Sequence, residues 1–229
     1  MNRVFVTGGT GFIGSRLVAR LVGAGVSVRV LTRNPSARIG DVDVVHGDIC
    51  DFDTVARACE GTDTVFHLAG TAHDRAARGD WTRHRVVAVD GARTVIEAAH
   101  RAGASRFVFA SSLAVFGPVE GGPHDEETPA RPASPYGRAK LEAEDVLRTA
   151  AARMGMHVAV LRPAMVYGPH CRGNLPRLIR LVDRRFCPQV PDYGTRRSVV
   201  HVDHVVEALM LAACRTQAAG QTYIVADKE

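Results

Sequence analysis

The sequence predicts an α/β fold built on a doubly wound parallel sheet, and three observations lead there. Short β-rich runs alternate with longer amphipathic segments along most of the 229 residues. The first run, Val4 to Val6, breaks into a glycine cluster and then an amphipathic segment, in the stretch VFVTGGTGFIGSRLV. At 46% hydrophobic and 23% charged, the chain can bury one real core.

The elements follow in order. Strand candidates are RVFVTG, SVRVLTR, VDVVHGD, TVFHLAG, RFVFASS and HVAVLRP, with helix candidates near 12–23, 52–60, 82–102 and 136–154. This β-α-β-α order implies a parallel sheet covered on both faces, with ligands bound outside the carboxyl ends of its strands. After Pro163 the pattern loosens into VYGPHCRGNLP, a helix at 175–184, a Pro-containing stretch through Pro191, SVVHV, a helix at 203–214 and a last strand TYIVAD. We expect residues 166–229 to form a small substrate-side lobe interleaved with the last strands. The one long Gly/Pro-rich loop, 117–135, is of a length that usually serves function.

Composition narrows the partners. The net charge of +5 is spread along the chain, which suits an anionic small molecule better than a nucleic-acid track. No signal-peptide pattern and no bilayer-length apolar run are seen, so we expect no membrane partner and a cytoplasmic location. The five cysteines, Cys50, Cys59, Cys171, Cys187 and Cys214, show no C-x-x-C spacing and read as reduced thiols. His46, His67 and His201 read as structural histidines, and no metal site is expected. His73, Asp74, Trp81 and His84 read chiefly as a solvated face, as does HDEETP at 124–129.

Gly8, Gly11 and Gly14 form G-x-x-G-x-x-G between the first strand and the first helix. The first glycine permits the tight turn, the second lets backbone N–H groups approach a pyrophosphate, and the third lets helix and strand pack closely. Residues 1–165 are therefore expected to be a dinucleotide-binding Rossmann domain, with Phe12 and Ile13 at the helix entry. An NAD site would carry an acidic residue after the second strand, where this chain reads LTRNP. Arg33 there would accept a 2′-phosphate, so NADP is the first choice and NAD the second, Arg33 as a solvated loop charge being the alternative. Asp48 in GDI is a candidate for the adenine amino group.

SPYGRAK places Tyr136 and Lys140 on one face of a helix start. A free phenol is a poor base at neutral pH, and a nearby ammonium favours its phenolate, so Lys140 makes Tyr136 usable as a general acid or base. Lys140 is one of only two lysines, the other being Lys228, in a chain that otherwise uses Arg. Ser112, ending the fifth strand, could hydrogen-bond a substrate oxygen.

With VTGGTGFIG, GDI, HLAG, SSLAVFG, YGRAK, LRPAMVYGP and RRSVVHVDHVVEA in this order, the chain resembles the extended short-chain dehydrogenase/reductases of the NAD(P)-dependent epimerase/dehydratase family. The resemblance implies that Tyr136 transfers the proton, Lys140 binds the nicotinamide ribose and tunes Tyr136, and Ser112 orients the reacting oxygen. It implies that Ile49, Leu68, Ala69, Pro163 and Val166 line the cofactor and that Arg197 holds a nucleotide diphosphate. It further implies a homodimer through helices 82–102 and 136–154.

Departures narrow the chemistry. Sugar-nucleotide 4,6-dehydratases resemble TDEVYG where this chain has SLAVFG, so Leu113 and Ala114 replace their acid and base carboxylates, and dehydration is disfavoured. Phe116 replaces the usual tyrosine of VYG, and Ala88 stands where asparagine is usual. Family members continue past the strand that TYIVAD resembles, so the resemblance implies a truncated substrate lobe. The expected function is NAD(P)-dependent epimerisation of a nucleotide-sugar by hydride transfer at a hydroxyl or keto carbon. One alternative is an NADPH-dependent ketoreductase, acting on a 4-keto sugar nucleotide or a flavonoid- or steroid-like ketone. Another is a non-catalytic NADP-binding sensor or scaffold, which the intact Ser112, Tyr136 and Lys140 speak against.

Overall fold

In the computed structural model the described residues are 1–72, 79–118, 123–171, 180–184, 186 and 197–228. Seven strands form one all-parallel sheet in the order β3-β2-β1-β4-β5-β6-β9. They are β1 (Arg3–Thr7), β2 (Ser27–Thr32), β3 (Asp43–His46), β4 (Thr64–His67), β5 (Arg106–Ala110), β6 (His157–Pro163) and β9 (Thr222–Val225). Strand order reverses between β1 and β4, so the crevice for a ligand opens at their carboxyl ends.

Alternation along β1 divides the core. Val4 and Val6 face a cluster with Leu17, Val18 and Leu21 of α1 (Phe12–Gly23) and Val205 and Leu209 of α6 (Val202–Cys214). Phe5 faces the other way, into a cluster with α2 (Phe52–Cys59), α4 (Gly91–Arg101) and α5 (Pro135–Met154). The sheet is thus buried on both faces, which is why its strands read as nearly continuous apolar runs.

Local chemistry fixes the helix starts. Asp51 caps α2 at Thr54, Asp80 caps α3 (Trp81–Arg85) at the Arg83 N–H, and Ser134 caps α5 at the Gly137 N–H. Pro135 occupies the first turn of α5, and Gly155 ends that helix in the left-handed region at φ 64°.

Two features differ from the sequence expectation. The single helix expected over 82–102 is α3 and α4 joined by a π-helical turn, Val86–Asp90. Residues five apart become neighbours in such a turn, and Arg85 pairs with Asp90 at 3.4 Å. The Cα of Gly91 meanwhile lies so close to Ile49 that a Cβ would come within 2.5 Å of the Ile49 Cδ1. Secondly, β9 is a full member of the main sheet, paired with β6, and α6 covers that sheet beside α1. Between β6 and α6, β7 (Met165–Tyr167) and β8 (Val199–His201) form a separate parallel pair. The helix expected at 175–184 lies mostly outside the described residues, as do His73, Asp74, Cys187 and Pro191. No helix among the described residues is long and apolar enough to cross a membrane.

An ion-paired cluster ties the chain's end to this second sheet. Asp227 accepts from the Tyr167 hydroxyl at 3.1 Å and the His201 N–H at 2.9 Å, and pairs with His204 Nδ1 at 2.6 Å. The hydrogen bond to Asp227 holds His204 above its ordinary pKa, and its counterpart holds Asp227 below its own. The His204 contribution is complete below its unfolded pKa of about 6.5 and is lost as pH rises through its higher folded value. That of Asp227 is complete above about 3.9 and is lost as pH falls through its lower folded value. The melting-temperature gap between wild type and His204→Gln is therefore expected to be widest near about pH 5 and to shrink as pH rises through the raised folded value of His204. A gap independent of pH would show that the ion pair contributes nothing. In the first loop, a Cβ on Gly14 would fall 2.1 Å from the Gly8 carbonyl oxygen. Gly14→Ala is expected to cost about 2 kcal/mol or more in denaturant unfolding, whereas Gly23→Ala, with nothing within 4 Å, should not destabilise.

Candidate active site

The crevice is built from the ends of β1 and β4. Gly8 turns the chain at φ 71°, and a Cβ there would meet the Leu68 and Ala69 backbone at 2.7 Å. This contact lets the Leu68 N–H donate to the Thr7 carbonyl at 3.1 Å and the Ala69 N–H to the Thr7 hydroxyl at 3.3 Å. Gly11 precedes α1 in extended conformation, its N–H bonded to the Gly8 carbonyl at 2.9 Å. Unlike α2, α3 and α5, α1 has no side-chain cap, and it has no acidic residue in its first turn. Its N-terminus, with Phe12 and Ile13, is therefore free to take an anion, as the diphosphate of a dinucleotide requires. A cleft of about 110 Å³ lies here between Thr10 to Phe12, Ser15, Arg16 and the Pro169–His170 turn.

Along the sheet edge, Arg33 follows β2 and is exposed, and Asp48 follows β3. Thr32 and His46 are in register, so both residues leave the sheet at the same end. Asp48 Oδ1 accepts from the Cys50 N–H at 2.9 Å, which shapes the turn, while Ile49 packs onto the core beside Gly91.

On the other side of the crevice, Ser112, Tyr136 and Lys140 come together. Ser112 leaves β5 and its Oγ accepts from the Ala114 N–H at 3.2 Å, closing a 3₁₀ turn over Leu113–Val115. Its hydroxyl also faces the Tyr136 phenol, and hydrogen bonding from it works to lower the phenol's pKa. Tyr136 and Lys140 project from the first turns of α5, whose Gly137 lies so close to the 3₁₀ turn that a Cβ would be 2.2 Å from the Ala114 carbonyl oxygen. Lys140 is 3% exposed, its Nζ donates to the Ala110 carbonyl at 2.7 Å, and it sits 4.4 Å over the Phe109 ring. A Cβ on Gly70, just after β4, would lie 3.5 Å from that Nζ, so the ammonium reaches the β4 side of the crevice.

Burial penalises both charged forms. It pushes the Tyr136 phenol up to about 12, against the lowering effect of the Ser112 bond, and pulls the Lys140 ammonium down to about 8. At neutral pH the pair is thus a phenol beside an ammonium, ready to give a proton rather than take one.

The remaining expected residues lie further out. Pro163 ends β6 and is paired with Val225, Val166 is half-buried in β7, and Arg197 is exposed just before β8. His84 was expected on a solvated face and is instead buried. Its Nδ1 bonds the Thr71 hydroxyl and its ring meets Tyr136 edge-on at 5.7 Å. His67 is also fully buried, with Nδ1 on the Thr7 hydroxyl at 2.8 Å, and burial lowers its pKa to about 3. Sequence reasoning missed a charged group behind the pair, Glu144 with Arg162 and Arg148. The signal was present: Glu144 continues the i, i+4, i+8 series of Tyr136 and Lys140 along one face of α5.

Comparison with known proteins agrees with this geometry. Residues 4–226 match the model of the NAD dependent epimerase/dehydratase family. The chain is 36% identical over 244 residues to a dTDP-glucose 4,6-dehydratase of Streptomyces niveus, covering 96% of this chain and 71% of that one. It is 30% identical over 230 residues to a UDP-glucose 4-epimerase of Vibrio cholerae, covering 98% and 70%. A further curated relative is matched over only 54% of its length. Among solved structures, MoeE5 in complex with UDP-glucose and NAD superposes with a TM-score of 0.84 at 34% identity, covering all of this chain and 77% of that one. An uncapped glycine-rich α1, a doubly wound sheet and a match from Val4 to Ala226 place this chain in the NAD dependent epimerase/dehydratase family, as an extended short-chain dehydrogenase/reductase.

Proposed function

We propose that the chain is an NAD(P)-dependent epimerase of a nucleotide-sugar. The observation that carries this reading is the meeting of Ser112, Tyr136 and Lys140 at the carboxyl end of β5, across the crevice from the glycine loop. The bound nicotinamide would supply hydride exchange with a carbon bearing a hydroxyl or keto group. Ser112 would hold that carbon's oxygen, and Tyr136 would give or take its proton. Lys140 would hold the cofactor ribose and favour the phenolate whenever Tyr136 must act as base. The glycine loop and the start of α1 would hold the diphosphate, with Asp48, Ile49, Leu68, Ala69, Pro163 and Val166 lining the rest. Arg197 would take the substrate diphosphate, with the part of 166–229 outside α6 and β9 as the substrate-side lobe. We also place the enzyme in the cytoplasm, as a homodimer through the α3–α4 and α5 helices.

A ketoreductase is the second reading, and two observations favour it. Tyr136 is a phenol at neutral pH, the form that protonates a carbonyl oxygen as hydride arrives. Arg33 stands exposed where a 2′-phosphate would lie, which supports NADP, although MoeE5 was solved with NAD. Dehydration is disfavoured despite the dehydratase relative, because Leu113 and Ala114 offer no carboxylate.

Calorimetric titration with NADP and NAD, each with and without uridine diphosphate, is the direct test. NADP binding that weakens about tenfold or more in Arg33→Ala, with NAD binding unchanged, supports the reductase branch. NAD preferred by the wild type supports the epimerase, and binding of neither would overturn both readings. With UDP-glucose as the first substrate tried, Tyr136→Phe is expected to lower kcat about 10²-fold or more with cofactor affinity retained. Full turnover by that variant would remove Tyr136 from the proton path.

A further inference from the structure

Behind the Tyr136–Lys140 pair lies a charged group that neither the glycine loop nor the proton path uses. Glu144 is on α5, one turn beyond Lys140, and its side chain is fully buried. Its carboxylate accepts four donors. Oε1 takes the Ser111 hydroxyl and Arg162 Nε at 3.1 Å, and Oε2 takes Arg162 Nη2 at 2.7 Å and Arg148 Nη2 at 2.8 Å. Arg162, itself 4% exposed, lies over the Phe116 ring at 4.9 Å. Arg148 reaches on to Asp145 and to the Thr222 hydroxyl of β9. The carboxylate is held from β5, β6 and its own helix, so it cannot swing.

Stability alone does not explain such a group. A buried ion pair is often matched or surpassed by apolar residues of similar volume, because desolvation offsets its attraction. Its position offers another reason. Among the described residues the Lys140 ammonium donates to the Ala110 carbonyl and lies over the Phe109 ring, neither of which carries a full negative charge. Glu144 stands one turn along α5 from Lys140 and is bonded to Ser111, the residue next to the Ala110 whose carbonyl takes Nζ, so its carboxylate lies beside that ammonium and its field opposes the burial of Lys140.

We propose that Glu144 is a positioning residue for the proton-transfer pair: clamped by Ser111, Arg162 and Arg148, its carboxylate keeps Lys140 an ammonium and so sets the pH range in which Lys140 supports Tyr136. This rests on the reading of Tyr136 and Lys140 as a working pair. The other groups around Lys140 do not supply that charge. Tyr136 is a neutral phenol, and His67 of β4 is a neutral ring. Arg162 of β6 and Arg148 are cations that oppose an ammonium. On the α3 side, Arg85 is occupied by Asp90 and Glu142, and His84 faces Tyr136.

The chain's two lysines make the test direct, with no substrate or cofactor required. In protein labelled with ¹³C,¹⁵N-lysine, NMR titration follows the Nζ groups of Lys140 and the exposed Lys228 alone, and Lys228→Arg assigns them. Glu144→Gln is expected to lower the Lys140 midpoint by about one pH unit or more, and Arg148→Ala to raise it by a few tenths, roughly. Glu144→Gln combined with Arg162→Met removes one charge of each sign and should return the midpoint close to wild type. Arg148→Ala changes only a half-exposed side chain and serves as the deciding variant if Glu144→Gln does not fold. A Lys140 midpoint that stays fixed in folded Glu144→Gln, or in Arg148→Ala where the first does not fold, overturns the proposal. Because Lys140 is read without turnover, failure of the nucleotide-sugar reading would appear separately, as absent dinucleotide binding with these shifts intact.

Discussion

The closeness of β1, β4 and α1 at Gly8 and Gly14 is the constraint around which the site is arranged. A Cβ at Gly14 would overlap the Gly8 carbonyl, and one at Gly8 would overlap the chain leaving β4. Only without those carbons can α1 start directly over the end of β1, aiming its uncapped N–H groups at the crevice. The same contact brings Leu68 and Ala69 onto Thr7, and Thr7 in turn holds the His67 ring. The loop that would cradle a diphosphate and the strand that would line the cofactor are therefore one packed unit, and a change at either glycine disturbs both.

The opposite wall is governed by electrostatics. Lys140, Glu144, Arg162 and Ser111 are all nearly inaccessible, in a region walled by Phe109 and Phe116. Charges in such surroundings interact strongly and lose much on desolvation, so each must be paired or must shift its pKa. The carboxylate is saturated by donors, and the ammonium is lowered but retained. Tyr136 at the mouth of this region keeps its proton, with Ser112 working against burial to lower its pKa.

Much of this was legible in the sequence because it rests on local rules. The first strand, loop and helix were readable from glycine spacing, and α5 from Ser134, Pro135 and the amphipathic run that follows. The π-helical turn was not readable, because the amphipathic run over 82–102 carries no break that marks it, and the Ile49 packed against Gly91 at its end comes from a distant part of the chain. Nor was the burial of His84, whose partner Thr71 follows a strand thirteen residues away. Glu144 repeats the spacing of Tyr136 and Lys140, but its burial was not readable, because it is paired with Arg162, eighteen residues on and in a strand. Periodicity shows which face of a helix is apolar but says nothing of a charge on that face until the strand beneath it is placed.

The placement of Arg162 bears on why the fold tolerates so many charges there. Position 162 sits between Leu161, which faces the α1–α6 core, and Pro163, which ends β6. By alternation Arg162 must point to the α5 face, where an unpaired guanidinium would be costly. Glu144 resolves that cost and at the same time spends half its hydrogen-bonding capacity on Arg162 alone. Its field at Lys140 is then a difference between one carboxylate and two guanidiniums, of which Arg148 is half exposed and screened by solvent. A small change in the solvation of Arg148 thus alters the balance felt by Lys140.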